Sequence, residues 1–172
     1  MTQNKSLTIE DIKKKVEKLL KTTGVKKLPV NIDKIARSLE LEIEYQPYDE
    51  PFSGVLIRNG NEATIGVNSK HHEHRQRFTI AHEIGHYLFH QGDLMIDKTI
   101  SINYRGNETV VDYQKEKEAN LFASELLLPT KLLTKELKKF QIDLNDDDQI
   151  KDLAQKYNVS QQALMIRLSR EL

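Results

Sequence analysis

Apolar residues recur every three or four positions over the first part of the chain, and this period predicts helices. The first helix is expected to begin after Thr8 and to end near Gly24. Its inward face consists of Ile9, Ile12, Val16, Leu19 and Leu20. A shorter helix is predicted after Pro29, and its inward residues are Ile32, Ile35, Ala36 and Leu39.

After the second helix the pattern changes to an alternation of apolar and polar residues, which indicates half-buried strands. Residues 41–45 form the first predicted strand, and residues 54–57 and 63–67 form the next two. The segment between the last two strands, Asn59-Gly60-Asn61, is typical of a hairpin turn. The sequence therefore predicts a small antiparallel sheet of about three strands.

A helical period returns near residue 75 and continues to the end of the chain, except over residues 94–111. That exception is expected to be irregular, and its loop character makes it a candidate gate over a site. Helices are predicted over residues 75–90, 113–127 and 130–140, then in a segment ending near Tyr157 and in the C-terminal residues after Asn158-Val159-Ser160. The expected fold class is α+β, mainly helical. We expect a main domain over residues 1–140, with a C-terminal helical hairpin over residues 141–172 packed on it.

The composition and net charge of the chain limit the classes of function that are possible. The 172 residues include 26 Lys and Arg against 26 Asp and Glu, and this neutral balance does not favour a protein that coats nucleic acid. The chain contains no Cys, so any metal ion must be held by His and carboxylate side chains. The polar N-terminus lacks the apolar core of a signal peptide, and no run approaches the roughly 18 apolar residues of a membrane span. We therefore expect a cytoplasmic protein with no membrane segment.

The segment His82-Glu83-Ile84-Gly85-His86 carries the clearest chemistry. On a helix, His82 and His86 lie one turn apart on the same face, so both imidazoles can bind one zinc ion. Glu83 lies beside that ion, where it can take a proton from an attacking water molecule as the general base of peptide hydrolysis. Gly85 lowers the helix propensity, and room for a substrate or a close strand would explain it. The alternative is two ordinary histidines on an amphipathic helix.

A catalytic zinc ion needs a third protein ligand. The metzincin pattern would place Gly at position 89 and His at position 92, but the chain has Phe89 and Gly92. His90 lies too far along the helix from His82 to complete a tetrahedral site, which leaves it as a helix-end histidine or an outer group. A carboxylate on the following helix is the better donor.

Two glutamates on that helix are candidates. Glu116 is favoured as the ligand because Asn120, four residues later on the same face, can then hydrogen-bond a ligating histidine. Glu118 points about 200° away around the helix and is the alternative. The alternative for either glutamate is a solvated helix face with no metal.

Several longer segments, in the same order, resemble the ImmA/IrrE-type metallopeptidases. They are residues 29–36, Phe52-Ser53-Gly54-Val55-Leu56, Ile65-Gly66-Val67-Asn68, the whole stretch from Arg77 to His90, and residues 116–129. The resemblance implies a gluzincin-like zinc site in which His82, His86 and a glutamate bind the metal and Glu83 is the general base. It also implies a substrate: a helix-turn-helix transcriptional repressor of a phage, mobile element or stress operon. The resemblance leaves open the alternative of an inactive or DNA-binding member of the family.

The C-terminal hairpin allows a second hypothesis. Residues 150–164 have the outline of a helix-turn-helix, and the last helix carries Gln161, Gln162, Arg167 and Arg170. The acidic run Asp146-Asp147-Asp148 just upstream would repel phosphate, so direct DNA binding is not favoured. A DNA-binding or repressor-binding regulator without proteolysis stays as the alternative function.

Several other histidines, arginines and tyrosines are weaker candidates for functional residues. His71-His72-Glu73-His74 is expected to be a solvated first turn of the zinc helix rather than a second metal site. Arg75 and Arg77 are expected to steer an acidic partner or to pair with carboxylates. The residues that could stabilise an oxyanion are Tyr104, Tyr113 and His90, and the sequence does not choose among them.

Overall fold

The computed structural model describes residues 6–91, 94–98, 110–139 and 142–171. Within these ranges the chain forms seven helices and four strands. In chain order they are α1 (Ile9–Thr23), α2 (Ile32–Ser38), β1 (Leu41–Gln46), β2 (Phe52–Asn59), β3 (Glu62–Asn68), α3 (Glu73–Phe89), β4 (Leu94–Lys98), α4 (Val110–Leu127), α5 (Thr130–Leu137), α6 (Asp147–Tyr157) and α7 (Gln161–Glu171). The predicted α+β class with mainly helical content is confirmed.

The ends of α1 follow from local chemistry. Thr8 and Asp11 form a capping box, in which the Thr8 hydroxyl accepts from the Asp11 backbone N–H and the Asp11 carboxylate accepts from the Thr8 backbone N–H. At the other end Gly24 has a φ of 69°, a left-handed conformation that glycine adopts without strain. The predicted bounds of this helix therefore agree with the structure.

The sheet differs from the prediction in strand number and direction. Its order is β1-β3-β2-β4, and β1 runs parallel to β3, while β2 is antiparallel to both of its neighbours. The β2–β3 hairpin was expected, but β1 pairs with the far side of β3 and so makes β3 an inner strand. Alternation marks a strand without identifying its neighbour. The prediction that residues 94–111 are irregular is wrong over β4, and residues 99–109 lie outside the described ranges.

Helices α3 and α4 position the candidate site. α3 packs against β2 and β3, and its middle residues Ile80, Ala81 and Ile84 are buried in the core. α4 packs along α3 and also contacts α1. The histidines of α3 therefore lie between the sheet and a second helix, in a position that excludes most water. None of the helices in the described ranges combines the length and apolar composition needed to cross a bilayer.

The C-terminal helices contact the rest of the chain through specific polar bonds. The N-cap of α6 is Asp146, and its carboxylate accepts from the Gln149 backbone N–H at 3.0 Å. After α6, Asn158 adopts a left-handed conformation, and its carbonyl accepts from Arg77 Nε at 3.1 Å. This bond joins the turn between α6 and α7 to α3.

Candidate metal centre

His82 and His86 are the buried centre of the site. Both are 2% exposed, and they lie one turn apart on α3 with their Nε2 atoms 3.0 Å apart. The lone pairs of two neutral imidazoles repel each other at this distance, so a cation or a proton is needed between them. The spacing in the sequence therefore produces a pair of donor atoms facing one point.

Glu116, on α4, supplies the third donor. Its Oε2 lies 3.2 Å from His82 Nε2, and its Oε1 lies 3.1 Å from His86 Nε2. A tetrahedral zinc ion with bonds of about 2.0 to 2.1 Å requires donor atoms about 3.3 to 3.4 Å apart. The observed separations differ from that by a few tenths of an ångström, so the residues present fit a metal ion. Among the described residues these three side chains form the one such cluster.

The electrostatics of Glu116 suit a metal ligand. Burial alone would raise its pKa, but hydrogen bonds and charge interactions with His82 and His86 lower the pKa to about 2. Glu116 is therefore an anion at any physiological pH. A cation in the site would be attracted by the same carboxylate.

Glu83 is fully buried beside the two histidines. The sheet approaches it through Gly54 of β2, where an added Cβ would lie 3.5 Å from Glu83 Oε1 and 2.3 Å from the Thr79 methyl carbon. Only a glycine at position 54 allows β2 to lie this close to α3. Glu83 is thus held in a narrow space between α3 and the sheet.

Both histidines have an outer partner at Nδ1. His82 Nδ1 lies 3.1 Å from Asn120 Oδ1, the contact expected from the spacing of Asn120 and Glu116. His86 Nδ1 lies 3.0 Å from His90 Nδ1, and His90 Nε2 lies 3.2 Å from Glu118 Oε2. Glu118 therefore faces His90, and it is Glu116 that faces the metal-binding nitrogens.

The pKa values of this outer pair are both displaced. Burial lowers the pKa of His90 more than its hydrogen bond with Glu118 raises it, so His90 is neutral near pH 7. Burial would raise the pKa of Glu118, but hydrogen bonds from Gln114, from the Leu7 backbone and from His90 lower it. The pair is thus a neutral imidazole beside a carboxylate.

Arg58 of β2 also holds the histidine-bearing helix in place, a role that its position in the sequence does not reveal. Its Nη2 donates to the carbonyls of His86, Tyr87 and His90 at 3.1, 3.3 and 2.9 Å. These carbonyls lie at the C-terminal end of α3, which favours a positive charge, and the His86 carbonyl also accepts from the His90 backbone N–H at 3.0 Å. A single arginine in a strand carries no signal of this role, because the contact depends on how the sheet packs on α3.

The structure also places the histidine and arginine residues at the start of α3 that the sequence singled out. His71 is buried and pairs with Glu50 at 2.8 Å, so the expectation of a fully solvated cluster is wrong for this residue. Arg75 donates to Ser53 Oγ at 3.1 Å, and Arg77 donates to the backbone carbonyls of Val30 and Asn158.

The three oxyanion candidates are placed differently. His90 has both ring nitrogens occupied by His86 and Glu118, which removes it from consideration. Tyr104 lies outside the described residues. Tyr113 is 64% exposed on α4, three residues before Glu116, and it stays the candidate.

The hairpin residues proposed for DNA contact are only partly available. Arg167 is buried, forms an ion pair with Glu125 of α4 and donates from Nε to the Leu128 carbonyl at 3.1 Å. Gln161, Gln162 and Arg170 are exposed. The guanidinium of Arg167 therefore holds α7 against α4 and is not exposed for contact with DNA. This weakens the DNA-binding alternative.

Comparison with known proteins gives three results. The family model described as the IrrE N-terminal-like domain, Peptidase M78, matches residues 40–169. Metallopeptidase ImmA of Bacillus subtilis (strain 168) is 29% identical over 134 residues, which covers 78% of this chain and 73% of that protein. A solved structure described as a Mycobacterium tuberculosis transcriptional regulator is 16% identical with a TM-score of 0.64, covering 96% of this chain and 48% of that one. This last likeness concerns the fold alone, and the chain spans about half the length of that protein.

Proposed function

We propose that this chain, which belongs to the Peptidase M78 family of IrrE N-terminal-like domains, is a zinc-dependent endopeptidase. Membership makes it a metallopeptidase-family protein and implies a metal ion and a protein substrate. The observation that carries the proposal is the approach of His82 Nε2, His86 Nε2 and the Glu116 carboxylate to 3.0–3.2 Å of one another, with Glu83 buried beside them.

In the proposed mechanism His82, His86 and Glu116 hold the metal, and Glu83 moves the proton. A zinc ion bound by these residues would supply Lewis acidity toward a peptide carbonyl and would lower the pKa of water toward neutrality. Glu83 takes a proton from the attacking water and returns it to the amide nitrogen that leaves. Asn120 orients the His82 imidazole, and His90 orients the His86 imidazole, through contacts at the Nδ1 atoms.

We further propose that the substrate is a helix-turn-helix transcriptional repressor. The support is the resemblance to the ImmA/IrrE-type enzymes and the 29% identity to metallopeptidase ImmA. Cleavage of such a repressor would release the genes it controls and would place the reaction in the cytoplasm. Residues 141–172 are proposed to be an integral part of the same domain, because Arg167 and Asn158 bond to α4 and α3.

The test compares the wild type with Glu83→Gln. The variant keeps all three proposed ligands, so it should bind one zinc ion per chain, measured by elemental analysis, while losing cleavage of the cognate repressor. His86→Ala is the matched control that should lose both zinc and cleavage. Cleavage by the Glu83→Gln protein would show that the proposed general base is wrong.

The same variant can identify the substrate. A Glu83→Gln protein that binds without cutting should retain its substrate, so that affinity capture from the source cell recovers a helix-turn-helix protein that the wild type cleaves in vitro. Capture without cleavage by the zinc-loaded wild type would favour a regulator that binds but does not cut.

A further inference from the structure

A row of hydrogen bonds runs away from the proposed metal site through α3 and α4. It passes from His86 Nδ1 to His90 Nδ1 at 3.0 Å, and from His90 Nε2 to Glu118 Oε2 at 3.2 Å. His90 and Glu118 are 7% and 6% exposed, so water does not replace these contacts. The row ends at the Glu118 carboxylate, which also accepts from Ser6, a residue 112 positions earlier in the chain.

The position of the protons along this row follows from the chemistry of its ends. An ionised Glu118 only accepts, so His90 Nε2 must carry the proton that it donates. In a neutral His90 the Nδ1 is then an acceptor, and the proton between the two Nδ1 atoms must belong to His86. With its proton on Nδ1, His86 presents the lone pair of Nε2 to Glu116 and His82, which is the form that binds a metal ion.

Glu118 is held in place by three donors at its other oxygen. The Leu7 backbone N–H lies 3.0 Å from Oε1, Gln114 Nε2 lies 2.7 Å from it, and the Ser6 hydroxyl lies 3.3 Å from it. Because all three groups donate here, they require an acceptor at this point. The segment before α1 therefore fixes both the place and the charge of the last group in the row.

We propose that His90 and Glu118 are positioning residues that hold His86 in the tautomer able to bind the metal ion. Neither residue touches the metal; their effect passes through the His86 Nδ1 proton. The inference rests on the proposed function, since it requires that His86 binds zinc. Loss of such an outer partner lowers metal affinity by about 10- to 100-fold in comparable sites.

Glu118→Gln tests the direction of the row with little change in shape. If the amide nitrogen faces His90 Nε2, two donors meet unless His90 and then His86 reverse their protons. If the amide oxygen faces His90, the nitrogen meets the donors Leu7, Gln114 and Ser6. Zinc affinity, measured by competition with a chelator, should fall by about 10- to 100-fold. Glu17→Gln is the matched control at an exposed ion pair with Lys131, and it should leave the affinity unchanged.

A second pair of variants covers the case in which Glu118→Gln does not fold. In His90→Gln the amide can accept from His86 and donate to Glu118, which preserves the direction of the row, whereas His90→Leu can do neither. We expect His90→Gln to bind zinc more tightly than His90→Leu. Equal affinities for these two variants, or wild-type affinity in Glu118→Gln, would overturn the proposal.

Nitrogen-15 NMR of the zinc-loaded wild type reads the tautomers directly. His90 should carry its proton on Nε2 and His86 on Nδ1, and a proton on His90 Nδ1 would contradict the inference. Failure of the proposed function looks different, because the wild type itself then either does not bind zinc at His82 and His86 or, loaded with zinc, cleaves no substrate.

Discussion

Gly85 of α3 lies so close to Ala119 of α4 that a Cβ added to Gly85 would be 3.1 Å from the Ala119 Cα atom. The same Cβ would be 3.1 Å from the Phe122 ring. The sequence suggested that Gly85 makes room for a substrate or for a close strand. The structure shows instead that the space beside Gly85 is filled by α4. Gly85 allows α4 to approach α3, and Glu116 lies one turn before Ala119 on the approaching helix.

Gly85→Ala should push α4 away and weaken the metal site. Overpacking costs about 1–3 kcal/mol and better helix propensity returns about 1 kcal/mol, so a net loss of up to about 2 kcal/mol is expected in urea unfolding of the metal-free protein. Zinc affinity should fall as well, because Glu116 moves with α4. A variant that is more stable than the wild type and binds zinc equally well would show that the helices tolerate the methyl group.

Gly54 and Thr79 should behave as a coupled pair. Gly54→Ala places a Cβ 2.3 Å from the Thr79 methyl carbon and is expected to destabilise the protein by about 1–3 kcal/mol. Thr79→Ser removes that methyl group and is the control. The double variant should be more stable than the sum of the single changes predicts, with a coupling of about 0.5–3 kcal/mol in urea unfolding. Strictly additive changes would place the clash elsewhere.

Much of the fold is present in local patterns. The ends of α1 depend on Thr8 and Gly24, and the i, i+4 spacing puts His82 and His86 on one side of α3. Residues two apart on a helix point about 200° away from each other, so only one of Glu116 and Glu118 can face the site, and the spacing of Asn120 favours Glu116. These features depend on residues close together in the sequence, so they can be predicted without the tertiary structure.

Other features depend on contacts between distant segments. The parallel pairing of β1 with β3 places β1 beyond the hairpin, and alternation alone does not distinguish the two sides of β3. Arg58 reaches the end of α3 only because β2 crosses it there. The helix argument excluded His90 as a ligand, but its partner Glu118 could be known only from the packing of α4 on α3.

Tyr157 should make the protein less stable at alkaline pH. Burial, together with the charge of Glu136, raises the pKa of Tyr157 to about 12, whereas an exposed tyrosine titrates near 10. Between these values the folded state keeps a proton that the unfolded state has lost. Stability is therefore unaffected below about pH 10 and falls as the pH rises toward 12, by at most about 2–3 kcal/mol.

Tyr157→Phe removes this titration. Its hydroxyl has no hydrogen-bond partner in the described part of the chain, so the variant should equal or exceed the wild type in stability at neutral pH. Urea unfolding from pH 9 to pH 12 should show a smaller decline for this variant than for the wild type. Tyr113→Phe, at an exposed ring, is the control, and equal declines in all three proteins would contradict the assignment.

Arg167 should be essential to the stability of the whole domain. It lies buried against Glu125, and it also donates to Thr130 Oγ1 at 2.7 Å and to the Leu128 carbonyl at 3.1 Å. Arg167→Met leaves a buried carboxylate without its cation, which is expected to cost about 3–5 kcal/mol. The control is Arg170→Met, which changes an exposed arginine about one turn further along α7. It should change stability by less than about 0.5 kcal/mol.

The form of the unfolding curve tests whether residues 141–172 belong to the same domain. If α7 is integral, Arg167→Met should lower the midpoint of a single transition seen both by circular dichroism and by zinc release, because loss of the ion pair destabilises α4 and with it Glu116. If the hairpin is independent, the variant should show early loss of part of the helical signal while zinc release keeps the wild-type midpoint. The second result would refute the single-domain proposal without affecting the assignment of the metal ligands.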